Sequence, residues 1–379
     1  MPEMMNDNPR KWLLLGGELS GYTFDLFETI AALGSVDVRF LYNPLDGLPS
    51  FQHELTGGLS NGRLWWNQAG WSEIRHFVRE PAPDVAIVHG TRPRIKMAYA
   101  LSQLPRGVPV YYAADTNISA LVASGWKTLA RRLATSLVAR RATAALSLGQ
   151  SNRLALQALG FKQIVDVPFY AIDFEALDRA SAETTVPDGP EEPRKLTLLT
   201  VARLVPAKNL PAFAAALAGD AELAGKVRLV IAGEGPDRPA LEAIKSRSPS
   251  LDLELLGAVP HSRIGSLFAR ADAFLLPSSF EPWGIVVVEA LGMGLPVIAT
   301  PEVGAAVSLA IQSGAVVLAK SADPRAMLDA TRAFLDRRHE LAANVQVAMP
   351  GVRSLYGRRA VAKAHLQLVY GRTSQGPGQ

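Results

Sequence analysis

Apolar residues in this chain gather into short, nearly continuous runs, separated by longer stretches whose apolar positions recur every three to four residues. The first half holds runs at 12–17 (WLLLGG), 36–42 (VDVRFLY), 84–90 (DVAIVHG), 108–114 (VPVYYAA) and 142–149 (ATAALSLG). The second half holds them at 195–204, 226–235, 251–259, 271–278, 295–300 and 314–319. Runs this short, rich in Val, Leu and Ile and without polar alternation, predict strands buried on both faces of a parallel sheet. Helical periodicity between them, as at Leu210–Leu217 and Pro324–Leu335, completes a β-α-β alternation.

Segment 181–195 (SAETTVPDGPEEPRK) breaks the alternation: it is polar, rich in proline and has no periodic apolar face. The predicted fold is therefore α/β, with two facing Rossmann-like domains and the active site in the cleft between them. The N-terminal domain covers 1–171, a linker 172–194 and the C-terminal domain 195–352, while a helix and tail over 353–379 pack back towards the first domain. Ligands of such sheets bind beyond the carboxyl ends of the strands.

Composition narrows the chemistry. A chain of 379 residues exceeds the usual size of a single core. It has no cysteine, which removes thiolate metal sites, disulfides and cysteine nucleophiles. The N-terminal sequence reads as neither a signal peptide nor a membrane span, and no apolar run reaches about 18 residues. The net charge of +4 is small, and the basic residues are not interleaved with aromatics as in a nucleic-acid module.

The densest candidate chemistry lies in 277–300 (PSSFEPWGIVVVEALGMGLPVIAT). A strand ends, a loop carries Glu281, and a helix is expected from about Gly284, although Val286–Val288 is equally a strand former. The free N–H groups at Gly284 and Ile285 could hold an anion. Glu289 lies among apolar residues and needs hydrogen-bond donors, either a vicinal ribose diol or a partner on another core helix. Arg203 and Lys208 follow a strand directly and offer a fork of donors and a compact charge, unless they are solvated loop charges. Gly233 and Gly235 suit a tight turn, Val259 a base pocket, and Gly16 and Gly17 a close approach of backbone to a diphosphate.

Glu281 and Glu289 form E-x7-E. With TVARLVPAKNL (200–210), VIAGEGPD (230–237) and VGAA (303–306) around them, the chain resembles the retaining glycosyltransferases of family four, which have the GT-B fold. The resemblance is strong from about 196 to 310 and weaker through GGELSGY (16–22) and LSLGQSNRLALQALG (146–160). It implies that Glu289 binds the donor ribose, that Glu281 lies near the transferred sugar, and that Arg203 and Lys208 hold the diphosphate. A nucleotide-sugar is then the donor, and the acceptor is a glycan, a lipid-linked sugar or a small molecule. No D-x-D occurs and the six histidines are scattered, so neither metal nor cofactor is expected. Many relatives have a histidine just after the strand here written VPVYYAA. This chain has Asp115 there, with a catalytic or a helix-capping role open to it. His89 is a further candidate.

Two other functions share this architecture or contradict it: a phosphorylase or sugar-nucleotide epimerase, and a non-catalytic glycan-binding subunit. The placement of charge suggests a location. No acidic residue lies between Asp115 and Asp166. Within that interval, Trp126, Leu129, Leu133 and Leu137 form an apolar line on a predicted helix carrying Lys127, Arg131, Arg132, Arg140 and Arg141. Such a helix is either a core element with a basic outer face or an anchor on an anionic membrane surface, which would put the protein on the inner face of the cell membrane.

Overall fold

The computed structural model describes residues 9–18, 20–43, 62–90, 94–117, 126–183 and 194–371. The chain divides into two compact units, one of residues 1–172 with 356–379 and the other of 173–355.

The first unit is built on seven parallel strands: β1 (Arg10–Glu18), β2 (Val36–Asn43), β3 (Arg63–Trp65), β4 (Val85–His89), β5 (Val110–Ala113), β6 (Ala144–Leu146) and β7 (Ile164–Val165). Their order is β3-β2-β1-β4-β5-β6-β7, so the chain leaves β1 towards one edge and returns to its other side with β4. Leu13, Leu15, Val88 and Tyr112 alternate into one buried cluster, while Trp12, Leu14 and Phe40 fill the opposite face. Strands β3 and β7 hold three and two residues, too few to show an apolar run, and only sheet pairing defines them.

The C-terminal helix Arg358–Tyr370 belongs to this unit. Gly34 lets it approach, because a Cβ there would meet Leu366 at 2.5 Å. Tyr370 lies edge-on to Trp12, with the Arg10 guanidinium 4.4 Å from its ring centre.

The second unit has six parallel strands: β8 (Leu196–Val201), β9 (Val227–Ala232), β10 (Leu253–Gly257), β11 (Ala273–Leu276), β12 (Val297–Ala299) and β13 (Val316–Leu318). Their order is β10-β9-β8-β11-β12-β13. Here the reversal falls between β8 and β11, and a crevice opens at the carboxyl ends of the strands at such a point.

The expected linker is only partly a linker. Phe174–Ala182 is a helix, capped by Asp173, whose carboxylate accepts from the Ala176 N–H at 3.1 Å. Phe174, Leu177 and Ala180 form its buried face. Its packing depends on two glycines of the second unit: a Cβ on Gly292 would lie 2.1 Å from the Phe174 ring, and one on Gly265 2.0 Å from the Leu177 carbonyl. The run of prolines obscured this helix, because the apolar stripe ends where they begin. The rest of the expected linker, 184–193, lies outside the described residues. The helix expected over Pro324–Leu335 continues to Tyr356, through Pro350.

Candidate functional site

In the second unit, side chains from both flanks of the topological reversal meet. After β8 the chain passes Arg203 and makes a short 3-10 turn at Pro206–Lys208. Asn209 then takes the left-handed conformation at φ 56°, and the helix Leu210–Ala218 begins. Asparagine tolerates this region better than most non-glycine residues, and its side-chain amide donates to the Ala322 carbonyl at 2.9 Å. Lys208 is thereby turned onto the loop that follows β11, where it forms an ion pair with Glu281. Each of the two side chains is 15% exposed, so the pair is shielded but reachable. Arg203 is exposed and enters none of the ion pairs among the described residues.

The two glycines of VIAGEGPD position the Arg203 loop. Gly233 and Gly235 adopt φ 150° and 154°, and Cβ atoms there would fall 1.8 Å from the Ala202 carbonyl oxygen and 2.3 Å from that of Leu204. The backbones bond in return, Leu204 N–H to the Glu234 carbonyl at 2.8 Å and Asp237 N–H to the Leu204 carbonyl at 3.0 Å. Among the described residues, these glycines serve to seat the loop that bears Arg203.

The Glu281–Gly284 loop is held in the same way. The Gly304 N–H donates to the Glu281 carbonyl at 3.2 Å, and the Ala305 N–H to that of Trp283 at 2.8 Å. A Cβ on Gly304 would come 2.3 Å from the Pro282 oxygen. Gly284 caps the next helix at φ 85°, a conformation that disfavours any residue with a side chain. That helix is Ile285–Gly292, so the Val286–Val288 run is helical. Burial decides it: Val287 and Val288 are fully buried, and packing outweighs the few tenths of a kcal/mol by which β-branched residues disfavour a helix. The N–H groups of Ile285 and Val286 begin this helix and have no acceptor within it.

Glu289 is 1% exposed and is held by His261, whose Nε2 lies 2.9 Å from Glu289 Oε1. His261 opens the turn His261–Arg263 after β10 and is 26% exposed, so the buried carboxylate connects to the surface through it. Sequence pattern alone did not single out this residue. Its one signal was position, two residues beyond Val259 at the carboxyl end of a strand. Val259 lies past the end of β10, which closes at Gly257, and is half-buried in the loop leading to His261.

The first unit gathers a different set at its own reversal. Gly16 and Gly17 do not follow β1; both lie inside it, buried, where the pairing with β2 shifts register. The Gly16 carbonyl accepts from the Trp66 indole N–H at 2.5 Å. Asp115 stands just past β5 and accepts from the Tyr170 hydroxyl at 3.2 Å. Asn152 fixes that loop, donating to the Ala114 and Thr116 carbonyls at 2.8 and 2.6 Å. His89 ends β4 with its ring 5.3 Å from that of Phe169. Burial lowers its pKa, against an opposing pull from Asp115.

On the helix Trp126–Arg141, the side chains of Trp126, Lys127 and Arg131 lie outside the described residues. The helix does not bury its leucines: Leu129, Leu133 and Leu137 are each 59% exposed, while Thr135 and Val138 face the interior. A core helix with its apolar line inward is therefore excluded. Arg132 and Arg140 are exposed. Arg141 is half-buried and donates within the unit to the Pro105 and Val108 carbonyls at 3.2 and 3.0 Å.

A family model described as glycosyl transferases group 1 matches residues 182–348. A phosphatidylinositol N-acetylglucosaminyltransferase subunit of Arabidopsis thaliana is 31% identical over 178 residues, 47% of this chain and 38% of that protein. The alpha-monoglucosyldiacylglycerol synthase of Acholeplasma laidlawii is 40% identical over 72 residues, 19% of this chain and 18% of that one. Both matches span less than half of the relative's own length. Anabaena HepE in complex with UDP superposes with a TM-score of 0.73 at 16% identity, covering 95% of this chain and 99% of that one. Residues 182–348 thus form a region of the group 1 glycosyl transferase type, and the two parallel sheets have the GT-B fold of the solved glycosyltransferases they match.

Proposed function

We propose that this protein is a retaining transferase that moves a sugar from a nucleoside diphosphate sugar to an acceptor hydroxyl, without a metal ion. The observation that carries this reading is the group at the β8–β11 reversal: a shielded Lys208–Glu281 pair, an exposed Arg203, a helix N-terminus at Gly284 and a buried Glu289. When the glycosidic bond breaks, its electron pair leaves with the diphosphate. Cationic side chains and free N–H groups fixed in advance stabilise that charge at no reorganisation cost. Arg203, Lys208 and the N–H groups of Ile285 and Val286 supply them. Glu289 accepts from the ribose hydroxyls beside His261, and Glu281 acts beside the transferred sugar once the diphosphate has drawn Lys208 away from it.

UDP is the first nucleotide to test, because HepE was solved with it. The names of the two curated relatives favour a membrane-borne lipid acceptor, and with it work at the cytoplasmic face of the cell membrane. Asp115, paired with Tyr170, is assigned to the acceptor or the reacting sugar.

Calorimetry of the full chain with UDP in the presence of EDTA tests the donor site. Binding is expected, and its loss in Lys208→Ala together with Arg203→Ala. No binding of any nucleoside diphosphate, or a strict metal requirement, overturns the reading. NMR of the first-formed product should show the anomeric configuration of the donor. Release of a sugar phosphate by inorganic phosphate alone would instead identify a phosphorylase.

A further inference from the structure

In water a helix normally turns its leucines inward, because an exposed leucine forgoes the free energy of removing its apolar surface from water. The helix Trp126–Arg141 does the reverse, with Leu129, Leu133 and Leu137 aligned on its outer side and Thr135 and Val138 buried. The neighbouring helix Arg94–Gln103 repeats the pattern, since Ile95 is 76% exposed. Between the two runs an open groove of about 570 Å³, floored by Met97, Ala98, Leu101, Ala134 and Val138. It extends from Arg94 to Ser102, roughly 12 Å along the helix at 1.5 Å per residue.

The two helices that form this face carry cations and no acid. Between Asp84 and Asp166 the sequence has a single acid, Asp115. Arg132 and Arg140 are exposed beside the leucine line. On its other flank the same helix borders a second groove, of about 620 Å³, in which Arg140 meets Lys162.

We propose that the face formed by helices Arg94–Gln103 and Trp126–Arg141 is a docking surface for an anionic lipid bilayer. The leucines and Ile95 enter the acyl region, the groove between the helices receives a lipid tail, and Arg132, Arg140 and Lys162 meet lipid phosphates. The sequence pattern left open whether this helix is a core element or an anchor, and the outward leucines decide it. A lipid bilayer is the occupant that matches both features, apolar ridges rimmed by unopposed cations. The purpose of this surface rests on the membrane-borne acceptor proposed above, whereas the binding itself does not require any transfer chemistry.

The experiment sediments the full chain with phosphatidylcholine vesicles, with and without phosphatidylglycerol, across a salt series. Wild-type protein should pellet with the anionic vesicles and less so as salt rises. Leu129→Ser with Leu133→Ser and Leu137→Ser should abolish pelleting, and as exposed positions they leave folding intact, checked by an unchanged melting temperature. Arg132→Ser with Arg140→Ser should lower the partition coefficient about twenty-five-fold, at roughly five-fold for each cation near the surface. Wild-type protein that stays in the supernatant at low salt overturns the proposal. So does a triple-leucine variant that pellets normally, or one whose only change is loss of self-association in vesicle-free buffer. UDP calorimetry on the same samples reports the donor site separately, so failure of one reading does not imitate failure of the other.

Discussion

The two units share an architecture and differ in what their loops place at the point where the strand order reverses. In the second unit, the loops after β8 and β11 bring opposite charges together, Lys208 against Glu281. In the first, the Trp66 indole, just after β3, reaches the Gly16 carbonyl inside β1, and the His89 ring at the end of β4 lies against Phe169, beyond β7. The reversal supplies a crevice in both cases, and the chemistry is decided by which side chains the loops carry. Under the proposed function, the charged set of the second unit meets the diphosphate, and the aromatic and hydroxyl set of the first meets the sugar.

The comparison can be broken most directly at Lys208. If the second unit holds the leaving diphosphate, Lys208→Ala should lower kcat by roughly 10²–10³, the order for removing one fixed stabiliser of transition-state charge. Tyr170→Phe in the first unit, which removes the hydroxyl that donates to the Asp115 carboxylate at 3.2 Å and leaves the carboxylate in place, should cost far less. Equal effects in a steady-state assay would erase the distinction drawn between the units.

The first unit carries a stability term of its own. His365 is buried, donates from Nδ1 to the Val361 carbonyl, and has its pKa lowered from 6.5 to about 4 by burial. The unfolded chain therefore binds a proton on this side chain at a pH where the folded chain does not. Its contribution is fully present above pH 6.5 and falls away as the pH drops towards 4. At about 1.4 kcal/mol per unit the loss amounts to roughly 3 kcal/mol. Urea titrations between these pH values should show this slope, and it should be absent in His365→Leu.

Glu289→Ala should weaken UDP binding by about 1–3 kcal/mol, the range for losing a charged hydrogen-bond partner. His261→Ala should have a smaller effect in the same calorimetry, since it removes the positioning partner and leaves the carboxylate. Unchanged affinity in a folded Glu289→Ala variant would reduce this residue to a structural partner of His261.

The smallest effect is the most specific. Glu281 occupies Lys208 before the donor arrives, so Glu281→Gln should tighten UDP binding by a few-fold, on the order of 1 kcal/mol for a shielded ion pair, while lowering turnover. Weaker binding in this variant would mean that the pair organises the site and does not compete with the diphosphate.

The sequence by itself determined the strands and the loops after them. Buried parallel strands must be apolar throughout, and the E-x7-E segment lies on one strand–loop–helix unit whose parts are adjacent in the chain. Glu281 and Glu289 were singled out for that reason, and Arg203 and Lys208 because they directly follow a strand. Local pattern could not reveal contacts between distant segments. His261 reaches Glu289 from 28 positions away, Lys208 reaches Glu281 from 73, and Trp66 takes the Gly16 carbonyl from 50. The helix Phe174–Ala182 was hidden for the same reason, since its place depends on Gly265 and Gly292 far along the chain. Periodicity also showed the Leu129, Leu133 and Leu137 line without its direction. A stripe repeating at helical spacing has the same pattern whether it faces a core or solvent, and only the burial of Thr135 and Val138 turned the leucines outward.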